Sequence, residues 1–262
     1  MIQIKYKKIL IPLFSVIIII VIWQCTAVFN VFLIIPSPIE VVKAFIEILL
    51  IGDNFNYYLL DHLLASLFRV LIGLFYAMVT AIPMGILVGL SKELDWFFTP
   101  IIEILRPIPP IAWIPFALAF FGFGIISQSF IIFIGAFFPI FSNTINGIRN
   151  VSPIYIEVAK TLGADRFDIL LRVILPSSLP DILVGIRVAL GVGWMCVIAS
   201  ELVGLRIPLG LGYLIQYSAQ FGNFDLTFAI MLATGFVGLG ITYGLKGLEK
   251  YLFRWRKSNG KD

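Results

Sequence analysis

Hydrophobic residues run along this chain in long, nearly unbroken stretches, and polar residues collect in the gaps between them. The first stretch, 9–28, follows Lys5, Lys7 and Lys8 and is about 20 residues long, enough to cross a bilayer. No A-x-A cleavage site follows it, so it is expected to be an uncleaved first span at roughly 9–29 rather than a signal peptide. Further stretches predict spans near 63–90, 94–121, 125–148, 181–203 and 226–246. Lipid offers no partners for backbone N–H and C=O groups, so spans of this kind are helices. The pattern therefore predicts an all-α, polytopic membrane protein of about six transmembrane helices.

The gaps carry their own signals. Pro36-Ser37-Pro38 breaks the chain, and 39–51 then reads as an amphipathic helix with Val41, Val42, Phe45, Ile48 and Leu49 at helical spacing, expected to lie on the membrane surface. Pro100, Pro107, Pro109, Pro110 and Pro115 interrupt the third span. Residues 111–121 alone are too short to cross, so that span either includes the proline-rich stretch or is re-entrant. The expected organisation is an N-terminal helix plus external amphipathic segment (1–61), a membrane-spanning domain (62–250) and a basic tail (251–262).

Charge sets the expected orientation. Lys5, Lys7, Lys8, Lys92, Arg149, Lys160, Arg166, Arg172, Lys246, Lys250, Arg254, Arg256, Lys257 and Lys261, fourteen of the nineteen Lys and Arg, fall on one side of the six-span arrangement, against Lys43 and Arg206 on the other. The positive-inside rule makes the first side cytoplasmic, with both termini there and residues 149–180 as the long interior cytoplasmic loop.

Composition narrows the function. The chain is 60% hydrophobic and 13% charged, too apolar for a water-soluble fold of 262 residues. The net charge of +4 reads as a topology signal, so no nucleic-acid partner is expected. Cys25 and Cys196 each sit inside an apolar run, and His62, read as peripheral, is the only histidine, which leaves too few ligands for a metal centre and no Ser/His/Asp constellation. No GxxxxGK[ST] sequence occurs, and no cofactor is expected.

The polar loop holds the most specific pattern. Pro153 after Ser152 suits a helix start, Gly163 suits a C-cap at positive φ, and Asp165 suits the cap of a second short helix ended before Pro176. Two short helices at an angle make a compact knob, with Ala159 and Gly163 four apart on one face for close approach by a partner. Glu157, Ala159, Gly163, Leu175 and Pro176 stand at the positions of the E-A-A…G…I-x-L-P loop, with Val158 where the second letter is usually Ala and Val173 for the Ile. The chain thus resembles the permease subunits of ABC importers. The stretches Arg106-Pro107-Ile108-Pro109-Pro110-Ile111-Ala112-Trp113-Ile114-Pro115, Ser66-Leu67-Phe68-Arg69-Val70, Gly185-Ile186-Arg187-Val188-Ala189 and Ala199-Ser200-Glu201-Leu202 resemble the nitrate, taurine and aliphatic-sulfonate subfamily. The resemblance implies a prokaryotic cytoplasmic-membrane location, a separate ABC ATPase subunit docking on the loop, an extracytoplasmic solute-binding protein, and a homodimer forming the pathway. It also implies that ATP is hydrolysed by the partner rather than by this chain.

Other residues carry weaker expectations. Gly73, Ala77, Ala81, Gly85 and Gly89 recur every fourth residue, a small-residue stripe for close helix packing within one subunit or, alternatively, along a dimer or pathway face; Gly240 and Gly244 form another such pair. Arg69, Arg187 and Glu201 are costly at membrane depth and are either structural ion pairs or the lining of an anion pathway. Trp23 and Trp96 suit interfacial anchoring. The competing reading is an ion-coupled secondary transporter or channel. It would need coupling carboxylates deep in the spans, where only Glu201 qualifies, and no internal repeat supports it.

Overall fold

A computed structural model describes residues 2–29, 34–203 and 208–252, and these are helices joined by short connections, with no strand among them. Arg206 and the basic residues from Arg254 onward lie outside the described residues. Five helices are long and apolar enough to cross a bilayer, and a bent pair makes a sixth when taken as one span.

Helix α1 (Ile2–Val28) stands apart from the rest, with its apolar side chains exposed from Leu10 onward. Trp23 ties it down by donating from Nε1 to the Pro36 carbonyl at 2.9 Å and by stacking near Phe228. α2 (Pro38–Leu50) begins with a capping box that the sequence reading did not draw out: Ser37 Oγ accepts from Glu40 N, and Glu40 Oε2 accepts from Ser37 N at 2.7 Å. The Ser37 bonds hold the Glu40 carboxyl below its usual range. The amphipathic face does more than rest on a membrane surface. Val41 and Ile48 are buried, and α2 packs against α11 (Phe224–Leu252), leaving Val42 and Leu49 outward.

The core is a three-helix slab of α3 (Leu59–Leu90), α6 (Ile125–Arg149) and α9 (Leu175–Glu201). Small residues set the spacing. A Cβ added at Gly73 would land 2.6 Å from Ile132 Cβ, at Gly85 2.8 Å from Thr144 Cβ, and at Gly89 2.9 Å from Ile148 Cβ. Ala77 and Ala81 are fully buried in the same seam. The every-fourth-residue stripe thus packs within the chain, on α6. At Gly240 and Gly244 an added Cβ would meet nothing within 4 Å.

The proline-rich region resolves into α4 (Lys92–Leu105) and, after a break at 106–109 and a tight turn at Pro110–Trp113, α5 (Ile114–Phe121), bent by 89°. Proline lacks a backbone N–H, so Pro107 and Pro109 in this break cannot donate the bonds that would continue α4, although Arg106 before them keeps helical dihedrals. α7 (Pro153–Thr161) and α8 (Arg166–Ile169) form the knob. α10 (Leu211–Gln220), too short to cross, lies between α9 and α11.

One expectation fails here. The helix capped by Asp165 does not end before Pro176; it continues through a π-turn at Leu170–Ile174 into α9, giving one continuous 36-residue helical run, Arg166–Glu201. Leu175 N bonds back five residues to Leu170 O, and this widened turn leaves Pro176 in the first turn of α9, where a missing N–H costs little.

Candidate functional site

The knob is built from its helix ends. Asp165 accepts from Asp168 N at 2.7 Å and caps α8. Ser152 occupies the N-cap of α7, but its side chain makes no capping bond; the start rests on Pro153. At the far end Gly163 has φ +84, Gly163 N donates to Lys160 O and Ala164 N to Ala159 O, both at 3.0 Å. This is a Schellman ending, and it needs the positive φ that glycine adopts without strain. Because α7 stops at Thr161, Gly163 belongs to that terminal turn rather than to a helical face shared with Ala159. Ala159 packs inward on a small cluster of Ile148, Val151, Ile169 and Ile174, with Leu175 beside it. Glu157 and Pro176 are exposed.

A different set of side chains points outward. Ile154, Val158 and Leu162, at i, i+4 and i+8, are 65%, 53% and 82% exposed, and Tyr155 and Phe167 stand beside them. Ile154, Tyr155, Val158 and Leu162 lie outside every candidate membrane span, and Phe167 lies at the edge of one. The spacing was visible in the sequence, but the glycine–alanine pattern drew attention to the opposite side. The unusual Val158 sits in the centre of this stripe.

The membrane-depth charges converge at the other end of α3. Arg69 Nη1 donates to Glu201 Oε1 at 2.6 Å, with side chains 4% and 1% exposed. Glu201 Oε2 accepts from Ser66 Oγ and from Gly212 N, each at 2.9 Å; Ser66 Oγ accepts from Leu211 N; Arg69 Nη2 donates to Leu209 O at 2.8 Å. α3 and α9 therefore supply, from outside, the N-terminal caps that α10 lacks in its own sequence, where Gly210 offers no side chain. A carboxylate there also meets the positive end of the α10 dipole. His62 is not peripheral but wholly buried: Nδ1 lies 3.1 Å from Gly210 N and Nε2 3.3 Å from Asp53 Oδ2. Nδ1 lies equally close, 3.1 Å, to Gly210 O. Gly210, at φ +142, is pressed so closely that an added Cβ would sit 2.6 Å from Glu201 Cδ. Arg69 and Glu201 thus bond to each other and to the start of α10, with Arg69 Nε left without a partner. Arg187 is half-buried elsewhere on α9.

Comparison with known proteins agrees with this architecture. The family model described as the binding-protein-dependent transport system inner membrane component matches residues 81–258. A Methanocaldococcus jannaschii chain named for an ABC transporter permease is 42% identical over 91% of this chain and 89% of its own length. The taurine transport system permease protein of Escherichia coli is 34% identical over 85% of this chain and 80% of its own. The structure of the methionine ABC transporter MetNI in an inward-facing conformation aligns with a TM-score of 0.65 and 20% identity, over 74% of this chain and 95% of that one, a likeness of fold. The knob, the helical slab and these matches together place the chain in the family of inner-membrane permease components of binding-protein-dependent ABC transport systems.

Proposed function

We propose that this permease component imports a small anionic or zwitterionic solute of the taurine, sulfonate or nitrate kind. It would act as a pair of identical copies, with an ABC ATPase seated on the α7–α8 knob and a solute-binding protein on the opposite face. The observation that carries the coupling role is the uncovered apolar stripe Ile154–Val158–Leu162 on a short helix ended by Gly163, outside the lipid-matched spans. A rigid knob packed on the ends of α6 and α9 by Ile148, Val151, Ile169 and Ile174 can pass a push from a partner into the slab as a rigid-body movement. The charge bias of the sequence puts that knob and both termini in the cytoplasm.

The cargo class rests on relatives: chains named for taurine transport, nitrate import and bicarbonate transport are 34–36% identical to this one. The test is ATP-driven uptake by the chain co-expressed with the ATPase and binding protein of its own system, scored with labelled taurine, an alkanesulfonate and nitrate. Uptake of one of these, abolished when the ATPase is inactivated, is expected. Uptake that persists without ATP hydrolysis would favour an ion-coupled carrier, and impermeant thiol labelling of Asn150→Cys in intact cells would reverse the orientation.

A further inference from the structure

Three polar side chains sit in the apolar core beneath α5. Ser127 and Gln128 of α6 and Ser200 of α9 are 2%, 6% and 4% exposed, and they line a chamber of about 10 Å³ walled on the other side by Ile114, Ala117 and Leu118 of α5. That volume holds one water molecule. Ser127 Oγ already donates to Gly124 O and Ser200 Oγ to Val197 O, each at 2.9 Å, so both hydroxyls keep only lone pairs to offer. Gln128 Oε1 is buried without a hydrogen-bond partner. The unpaired Gln128 oxygen and the hydroxyl lone pairs, beside the Gln128 NH2, suit a small molecule that both donates and accepts. The lining holds no charged side chain, so an ion would be uncompensated there, and a neutral molecule the size of water fits best.

The wall formed by α5 is set off from its neighbours at both ends. The 89° break precedes it, and Gly122 and Gly124, at φ +70 and +148 with open space around them, follow it. It presents only apolar side chains to the chamber, so lifting it breaks no hydrogen bond with Ser127, Gln128 or Ser200. Polar side chains within membrane spans are expensive and face protein interiors or water-filled cavities.

We infer that this chamber is a hydrated stretch of the translocation pathway, narrowed and partly covered by α5 in this conformation, with Ser127, Gln128 and Ser200 as its lining and water as its resident ligand. The inference rests on the permease reading. In the assembled complex with its ATPase and binding protein, in a Cys25→Ser/Cys196→Ala background, Ser127→Cys and Ser200→Cys are probed with methanethiosulfonate ethylammonium, without nucleotide and after ATP–vanadate trapping. Labelling of both is expected to differ between the two states by about tenfold or more, while Ala81→Cys, buried in the α3–α6 seam, stays slow in both. Equal labelling in both states, at the rate of Ala81→Cys, overturns the inference. Loss of vanadate-sensitive ATP hydrolysis by the unmodified complex would instead sink the permease reading. Should the cysteine variants fail to accumulate, Gln128→Leu decides by sign. A hydrated chamber loses a water contact, and the melting temperature falls; a dry one loses an unpaired buried oxygen, and the melting temperature rises, which overturns the inference.

Discussion

The two ends of α3 treat their side chains in opposite ways. At its N-terminal end His62, Ser66 and Arg69 are buried at 0%, 0% and 3% exposure, and their bonds run to Glu201, Asp53 and the start of α10. Near its C-terminal end the knob leaves Leu162 82% exposed and Phe167 66% exposed, though neither faces lipid in any candidate span centre. Polar groups hydrogen-bonded in the interior specify where elements sit, and here Arg69 Nε is left without a partner. Large apolar side chains left uncovered outside the bilayer mark a surface that expects a partner. The first end is therefore bonded within one chain, and on the proposed function the second is completed by a partner. Substitutions at the first should remove the protein, and substitutions at the second should leave it in the membrane but idle.

The largest effect is expected at Glu201. Glu201→Ala leaves the Arg69 guanidinium buried without its carboxylate and strips the cap from Gly212 N, a change of about 3–5 kcal/mol. Detergent-extracted protein should run as aggregate on size exclusion, or melt far below the parent. Arg69→Met/Glu201→Leu should recover part of the loss, because no charge is then unpaired. A Glu201→Ala protein that accumulates and melts normally would dissolve the contrast between the two ends.

Next in size is the seam between them. In Gly85→Val the new Cβ falls 2.8 Å from Thr144 Cβ and 3.2 Å from Phe141 O, and neither neighbour can rotate away within a packed slab. Forcing α3 from α6 should cost about 1–3 kcal/mol and lower the melting temperature of the chain alone, before any partner is added. An unchanged melting temperature would mean that the stripe packs more loosely than this geometry requires.

How legible these regions were follows from how local they are. The knob's ends depend on residues within six positions of one another, so Gly163, Asp165 and Pro153 could be read directly. The small-residue stripe was equally visible, but its partner on α6 was not. The Arg69–Glu201 and His62–Gly210 contacts join residues 132 and 148 positions apart, and nothing near Asp61 and His62 in the chain says that His62 will face Gly210. Likewise α10 shows no capping residue of its own, because Ser66 and Glu201 cap it from other helices. The π-turn at Leu170–Ile174 escaped because Pro176 reads as a helix stop unless the preceding turn widens.

At the knob the expected costs shrink while the functional consequences do not. An added Cβ at Gly163 meets nothing within 4 Å, so Gly163→Val strains only the φ +84 backbone, by about 1 kcal/mol or somewhat more. The protein should insert and accumulate, yet bind its ATPase less tightly or hydrolyse ATP without uptake. Pull-down of the ATPase alongside uptake separates the two outcomes. A well-expressed Gly163→Val protein with normal uptake removes the coupling assignment, and loss of the protein from the membrane would make Gly163 a folding residue.

The smallest effect is assigned to Glu157. It is exposed on α7, one position before Val158 of the apolar stripe, and its backbone carbonyl, not its side chain, accepts from Thr161 Oγ1 at 2.9 Å. Glu157→Ala should therefore leave the melting temperature of the chain unchanged, since no bond inside it is lost. What it can lose is a charge pair at the rim of the ATPase contact, about 0–1 kcal/mol and screened by salt. The expected result is a modest drop in ATPase affinity at low ionic strength that fades at high ionic strength, with Val158→Ala losing affinity at both. The same salt-independent loss for Glu157→Ala would mean that the carboxylate is buried against the partner, moving the centre of the contact from the apolar stripe to the acidic side of α7.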